Sequence, residues 1–395
     1  MKRAEAGARF GAEARGTVMA GKRSIFEEVG AAGVRPAKPA GGMIEAPAQG
    51  ARGAIRLWLV VIFVMVAAMV MLGGLTRLSD AGLSITEWRP VLGAVPPLNA
   101  ADWAAEFGKY QDSPQYRLMN AGMTLAEFKA IYWWEWAHRQ LGRLVGLVWA
   151  AGFGFFVLTR AVPAGWTRRL LGLGVLGGVQ GAIGWWMVSS GLTGAATSVA
   201  SYRLAVHLGL AFVVLGLCAG YIFLLGRRET DLLQAGRNRE RRLQGLMTGV
   251  MHLLFWQIVL GALVAGIDAG RNYPTWPDMN GAFFPEGGLV APLLENAGLM
   301  QFLHRMTGYA LFGLGVVAWA RGRASAYQAT RGAFNAVLVM LGCQVALGIW
   351  TALTAATLHV AITHQIGAVI LWVLVIRARH MAAYPVQGSI RGGTA

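Results

Sequence analysis

The chain has 395 residues, of which 55% are hydrophobic and only 14% charged, with a mean hydropathy of +0.49; soluble domains carry about a quarter charged residues, so most of this chain lies in a solvent that tolerates few charges. The net charge of +16 would suggest nucleic acid in a soluble protein, but here the basic residues sit in short loops beside apolar runs, which marks membrane topology and excludes a nucleic-acid partner. The two cysteines, Cys218 and Cys343, lie far apart in apolar segments with no CxxC, so neither a disulfide framework nor a zinc site is expected and both read as small packing residues.

In chain order, residues 1–50 are rich in Ala, Gly and Arg without an apolar stretch and read as a disordered cytoplasmic arm rather than a cleaved signal. A membrane-spanning helix needs about 20 mainly apolar residues. Eight segments meet that length: about 55–75, 131–159, 170–190, 203–225, 244–266, 298–320, 331–353 and 358–376. The last is short, and its start is the least defined boundary. The Arg-rich segments before the first span and after the second, fourth, sixth and eighth all fall on one side, which puts both termini in the cytoplasm. The other side holds two long loops, about 76–130 and 267–297, rich in Pro, Trp and Gly; their aromatic content predicts an ordered outer cap rather than slack chain.

The two halves repeat one another. Gly73-Gly74-Leu75, Asp80-Ala81-Gly82 and Trp88 match Gly261-Ala262-Leu263, Asp268-Ala269-Gly270 and Trp276 at identical spacing. His138-Arg139-x-x-Gly142 matches His304-Arg305-x-x-Gly308; Gln180, Gly184 and Trp186 match Gln344, Gly348 and Trp350; His207 matches His364. Four matches in one order describe an internal repeat. Each half holds an even number of spans, so the repeat is parallel, with its axis along the membrane normal. The expected fold is all-α integral membrane: eight transmembrane helices as two parallel, pseudo-twofold-related four-helix bundles. The boundaries are 51–230 for the first half, 231–380 for the second and 381–395 for a cytoplasmic tail.

Histidine inside a membrane is a functional candidate by default. His138, His207, His304 and His364 each fall about seven residues into a span entered from the outer side, roughly 10 Å below its edge at 1.5 Å per residue. Paired imidazoles suit metals, and two opposed histidines in Gly-rich, aromatic surroundings suit the axial positions of a heme better than a tetrahedral zinc set. Four polar residues that bond neighbouring helices are the plainer reading. Gly142, Gly308, Gly209 and Gly367 near the ligands admit either a flat macrocycle or close helix packing.

The halves differ at one carboxylate. Glu135 lies three residues before His138, on nearly the same helix face; its counterpart is the neutral Gln301. Glu135 either handles protons, water or a developing cation, or pairs with Arg139. The difference marks the first half as reactive and the second as electron-handling. Arg77, Arg139 and Arg305 at the outer ends of spans are candidates for heme propionates, or for nearby aspartates. His359 is a further propionate candidate or faces water, and His252 and His380 read as bystanders.

The segments GGLTRLSDAGLSITEWRPVLGAVPP (73–97), EWAHRQLGR (135–143), RLAVHLGLA (203–211), DAGRNYPTWPDMNGAFFP (268–285), QFLHRMTGY (301–309) and AITHQIGAV (361–369) together resemble the heme A synthase family, over about residues 55–376. The resemblance implies oxidation of the C8 methyl of heme O to a formyl group, giving heme A for cytochrome oxidase. It implies that His138 and His207 hold the substrate heme, that His304 and His364 hold a permanent heme b, and that Glu135 is the essential acid. Some members carry a Cys pair in the first outer loop, which this chain lacks. The implied setting is a bacterial cytoplasmic (inner) membrane, with the mitochondrial inner membrane the weaker alternative. Heme O synthase is the partner that pathway logic suggests; the electron acceptor and any homo-oligomer are left open. Two rival readings use the same scaffold: a di-heme b-type cytochrome exchanging electrons with quinone, and a parallel-repeat transporter without heme.

Overall fold

The computed structural model describes residues 49–386. The predicted N-terminal arm up to 48 and the end of the tail from 387 lie outside the described residues. Within them the chain is helical, with one isolated bridge between Met279 and Ala282. The helices are α1 (Gln49–Leu78), α2 (Ala100–Gln111), α3 (Pro114–Met119), α4 (Leu125–Leu158), α5 (Thr167–Ser189), α6 (Ser201–Leu225), α7 (Glu229–Arg237), α8 (Arg241–Gly266), α9 (Ala297–Gly322), α10 (Gln328–Leu353) and α11 (Leu358–Ala383). Seven of them (α1, α4, α5, α6, α8, α10 and α11) are long and apolar enough to cross a membrane, so this is an all-helical membrane protein. The sequence predicts a span at α9 (298–320) as well. That helix has 26 residues, but Gln301, His304 and Arg305 near its start and Arg321 near its end lower its apolar average below that of the other seven.

Helix contacts follow the order of the chain. α1 packs on α4 and α6, and α5 on α4 and α6; α8 packs on α9 and α11, and α10 on α9 and α11. α6 also lies against α8 and α11, and α1 against α11. Helix α6 therefore has neighbours on most sides, which is why its sequence is apolar all round rather than striped. Phe212, Leu215 and Cys218 on it are buried at 0–1% exposure, and Trp372 Nε1 of α11 donates to its Phe212 carbonyl at 2.9 Å. Cys343, by contrast, lies on the exposed face of α10, so the packing role expected of both cysteines holds for Cys218 alone.

Several helices are longer than hydropathy suggests, α4 and α11 among them. α4 starts six residues before the predicted 131, because Thr124 and Glu127 form a capping box that satisfies the first free amides. Its extra turns stand in the outer loop, where Phe128 and Tyr132 join Trp103 and Tyr110 in a buried aromatic cluster. Tyr110 donates to Gln115 Oε1 at 3.0 Å and accepts from Asn120 Nδ2 at 2.7 Å. The first outer loop is thus the ordered cap its aromatic content predicted. At the other end, α11 runs to Ala383, past the predicted 376. His380 accordingly lies on the helix, 7% exposed, beside the rings of Phe223 and Tyr384, not in a free tail. The predicted boundary at 230 falls within the first turn of α7.

Candidate functional site: four histidines backed by glycine

The four histidines lie on α4, α6, α9 and α11. His207 and His364 come six residues after the helix start and His304 seven, close to expectation, whereas His138 comes thirteen after Leu125. The extra length of α4 projects into the cap, so the count from the helix start misstates depth for this one ligand. His138 and His207 lie within electrostatic reach of each other, as do His304 and His364. Each half therefore brings two imidazoles together.

Behind every ring lies a glycine of the preceding long helix. A Cβ on Gly73 would fall 3.0 Å from His138 Cε1; on Gly184, 2.9 Å from His207 Cε1; on Gly261, 3.1 Å from His304 Cε1; on Gly348, 3.2 Å from His364 Cε1. Such approaches are tighter than an ordinary Cβ contact, so each imidazole lies with its Cε1 edge close against the glycine backbone. Nδ1 of His138, His304 and His364 is fully buried without a hydrogen-bond partner, although each residue as a whole is partly accessible.

Three of the four sites share a further tie. Gln180 Nε2 donates to the backbone carbonyl of His207 at 2.9 Å, Gln257 Nε2 to that of His304 at 2.9 Å, and Gln344 Nε2 to that of His364 at 2.8 Å. Each glutamine stands four residues before the glycine behind the ring. The internal repeat pairs Gln180 with Gln344 but not with Gln257, and gives the four glycines no role; the recurrent Gln-x-x-x-Gly at 180/184, 257/261 and 344/348 is the signal that carries both. In α1 the same position is Met69.

Glu135 is 3% exposed and fully engaged. Its Oε2 accepts from Ser84 Oγ at 2.8 Å and Ile85 N at 2.9 Å; its Oε1 accepts from Arg139 Nε at 3.0 Å and Nη2 at 2.6 Å. Arg139 also donates to the carbonyls of Ile85 and Glu87. The second half repeats the design in neutral form. Arg305 donates to Gln301 Oε1 at 3.0 Å and to the carbonyls of Tyr273 and Asp278, and Gln301 Nε2 donates to the Ala269 carbonyl at 2.9 Å. In both halves the arginine after the histidine ties the outer loop to the ligand-bearing helix.

Arg77 donates to Asp80 Oδ1 at 3.1 Å and, across the halves, to Asp268 Oδ2 at 2.8 Å. The guanidiniums proposed for propionates at Arg77, Arg139 and Arg305 thus all have protein partners. His359 is exposed at the start of α11, and His252 is exposed three turns into α8, with Nδ1 2.8 Å from the Thr248 carbonyl. Neither meets the four central histidines.

The donor set fits a heme. Among the described residues no group of three or more His, Cys, Asp and Glu could enclose a metal ion, while two imidazoles per half, each backed by glycine, match axial ligation of a flat macrocycle. His138 and His207 would hold one, His304 and His364 the other.

Comparison with known proteins gives a consistent result. A family model described as cytochrome oxidase assembly protein matches residues 56–376. A protein of Cereibacter sphaeroides (strain ATCC 17025 / ATH 2.4.3) named heme A synthase is 60% identical over 387 residues, covering 94% of this chain and 99% of the relative. The heme A synthase of Paracoccus denitrificans (strain Pd 1222) is 59% identical over 376 residues, with 94% and 99% covered. That of Ruegeria pomeroyi is 60% identical over 381 residues, with 95% and 100% covered.

Proposed function

The chain belongs to the cytochrome oxidase assembly protein family, and from that premise we propose how its residues divide the work of a heme A synthase. It is an oxidoreductase that converts heme O to heme A, a multi-pass membrane protein with close bacterial relatives. In our reading α9 also spans the membrane, the sixth of eight spans in chain order, and the two sets of four helices are parallel bundles related by a pseudo-twofold axis in a bacterial inner membrane, with both termini cytoplasmic. The first half, with His138 and His207, takes heme O; the second, with His304 and His364, holds heme b. The observation that carries this division is the pairing of a symmetric scaffold with one asymmetric charge, Glu135 against Gln301.

When bound, heme b supplies a one-electron relay out of the first half. The chain's own contribution is positional and electrostatic. Gly73 and Gly184 fix the two imidazoles that orient the substrate macrocycle, and the farnesyl tail lies among apolar side chains. Glu135, one turn outward from His138, is the only carboxylate on the ligand helices at that level. It stabilises positive charge developing at the C8 methyl, or takes the proton released as the methyl is oxidised in successive two-electron steps. The Arg139 guanidinium holds that carboxylate in one orientation, so no reorganisation is needed during reaction.

Extraction of the bound pigment after expression with and without a heme O source tests the assignment. Heme A or hydroxylated heme O in the extract is expected. Heme B alone, under both conditions, would identify a b-type electron-transfer cytochrome instead, and a purified protein without a Soret band would refute both.

A further inference from the structure

We infer that Met69 leaves His138 as the one histidine of the four whose helix turn is not tied to its neighbour, and that this makes the first-half heme site exchangeable. The inference rests on the assignment of heme O to the first half. Three ligand turns are fixed by a glutamine that donates to the ligand's own carbonyl at 2.8–2.9 Å. That bond sets both the rotation and the height of the ligand helix against the helix that carries the backing glycine.

At His138 the corresponding slot is filled, but by a group with no donor. Met69 Cε lies 3.6 Å from where a Cβ on Gly142 would stand, just as Gln257 Nε2 lies 3.3 Å from that of Gly308. The two side chains occupy equivalent positions against equivalent glycines, so the difference is one of chemistry and not of register. A thioether can pack against the helix but cannot hydrogen-bond its carbonyl.

The surrounding bonds deepen the contrast. At this level α1 is tied away from α4: Gln365 Nε2 of α11 donates to the Val70 carbonyl at 2.6 Å. The next side-chain hydrogen bond between α1 and α4 is Trp58 Nε1 to the Val148 carbonyl at 3.0 Å, about three turns further in at 3.6 residues per turn. On the outer side α4 is held by Arg139 to its loop, not to α1. The stretch around His138 is therefore fixed at both ends and free of polar ties to α1 in the middle. A substrate heme has to enter and its product leave, whereas a resident heme has to stay; one ligand able to move away is enough for exchange.

Heme transfer to excess apomyoglobin from the full-length, loaded protein in detergent measures this directly. A fast phase from the first half and a slow phase from the second are expected. Met69→Gln should slow the fast phase about fivefold, the worth of one ordinary net hydrogen bond, and Gln257→Met should quicken the slow phase by a similar factor. Met69→Leu, which conserves volume, should leave the fast phase unchanged. Slowing by Met69→Leu equal to that by Met69→Gln would show a packing effect and overturn the inference. So would an unchanged fast phase in Met69→Gln with an intact Soret band. Should that variant fail to fold, an unchanged slow phase in Gln257→Met overturns it equally. His138→Ala separates the two levels: if the fast phase survives it, the assignment of heme O to the first half is what fails.

Discussion

Replacing Glu135 by Gln tests the asymmetry between the halves most sharply, because the second half already carries that residue. In the native site four donors converge on two carboxylate oxygens. A glutamine offers one oxygen and one NH2. If the oxygen keeps Arg139, the NH2 faces Ile85 N–H, donor against donor, while the Ser84 hydroxyl can turn to accept; if the amide flips, Arg139 loses its partner. Around Gln301 the conflict is absent, because the chain presents the Ala269 carbonyl to the NH2. One buried donor left without an acceptor costs about 1–3 kcal/mol, and the charge-assisted bonds that are lost are worth a similar amount. The variant should therefore be destabilised by roughly 2–6 kcal/mol at the loop, yet fold, since Arg139 retains the carbonyls of Ile85 and Glu87. Conversion of heme O, followed by extraction and chromatography, should fall by about a hundredfold or more, the usual contribution of a positioned acid–base group. Faster hydrogen exchange at Ile85 should accompany it. Wild-type conversion by Glu135→Gln would refute the catalytic role, and unchanged exchange at Ile85 would refute the donor accounting.

The glycines behind the imidazoles give a second test. Gly184→Val should displace His207 and lower the heme content of the first half, whereas Gly261→Val should displace His304 and remove the heme b signal; pigment per protein, compared between the two, reads out each site, and full occupancy in both would contradict the close approach. A third concerns the cap. Burial pushes the Tyr110 phenol above its ordinary value of 10, against a smaller opposite effect of the hydrogen bond from Asn120. A raised value in the folded state means that its contribution to stability is complete below pH 10 and is lost as pH rises through the folded value. Near-ultraviolet titration should show a late step after the exposed tyrosines have ionised, and Tyr110→Phe should lower the amplitude of that step by one tyrosine; a late step of unchanged amplitude in Tyr110→Phe would contradict it.

Much of this arrangement was legible from residue patterns. The histidines and the internal repeat are fixed by spacing, and the Glu135–Arg139 pair is an i,i+4 relation that any helix brings together. Hydropathy found the seven long apolar helices but not their ends, because an amphiphilic extension such as Leu125–Ala130 is stabilised by a capping box and by aromatic contacts, not by lipid. The Thr124-x-x-Glu127 signature was present and marks the true start. What no spacing rule supplies is the identity of long-range partners. Ser84 and Ile85 reach Glu135 only because the first outer loop folds back, and Arg77 finds Asp268 only once α1 and α8 are adjacent. The three glutamine ties lay between these extremes: the motif was visible, but its meaning depended on which carbonyl each amide reaches.

The length of α4 has a mechanical consequence. Phe128, in the aromatic cap, and His138, in the membrane, belong to one uninterrupted helix and stand roughly 15 Å apart at 1.5 Å per residue. A rod of that length pivoting at the cap through about four degrees shifts its far end by about 1 Å, a displacement large enough to change a reaction rate a hundredfold. The second half has no such lever, since α9 begins only seven residues above His304. A tilt of the cap would therefore reach His138 and Glu135 along one helix, a path that α9 does not offer His304.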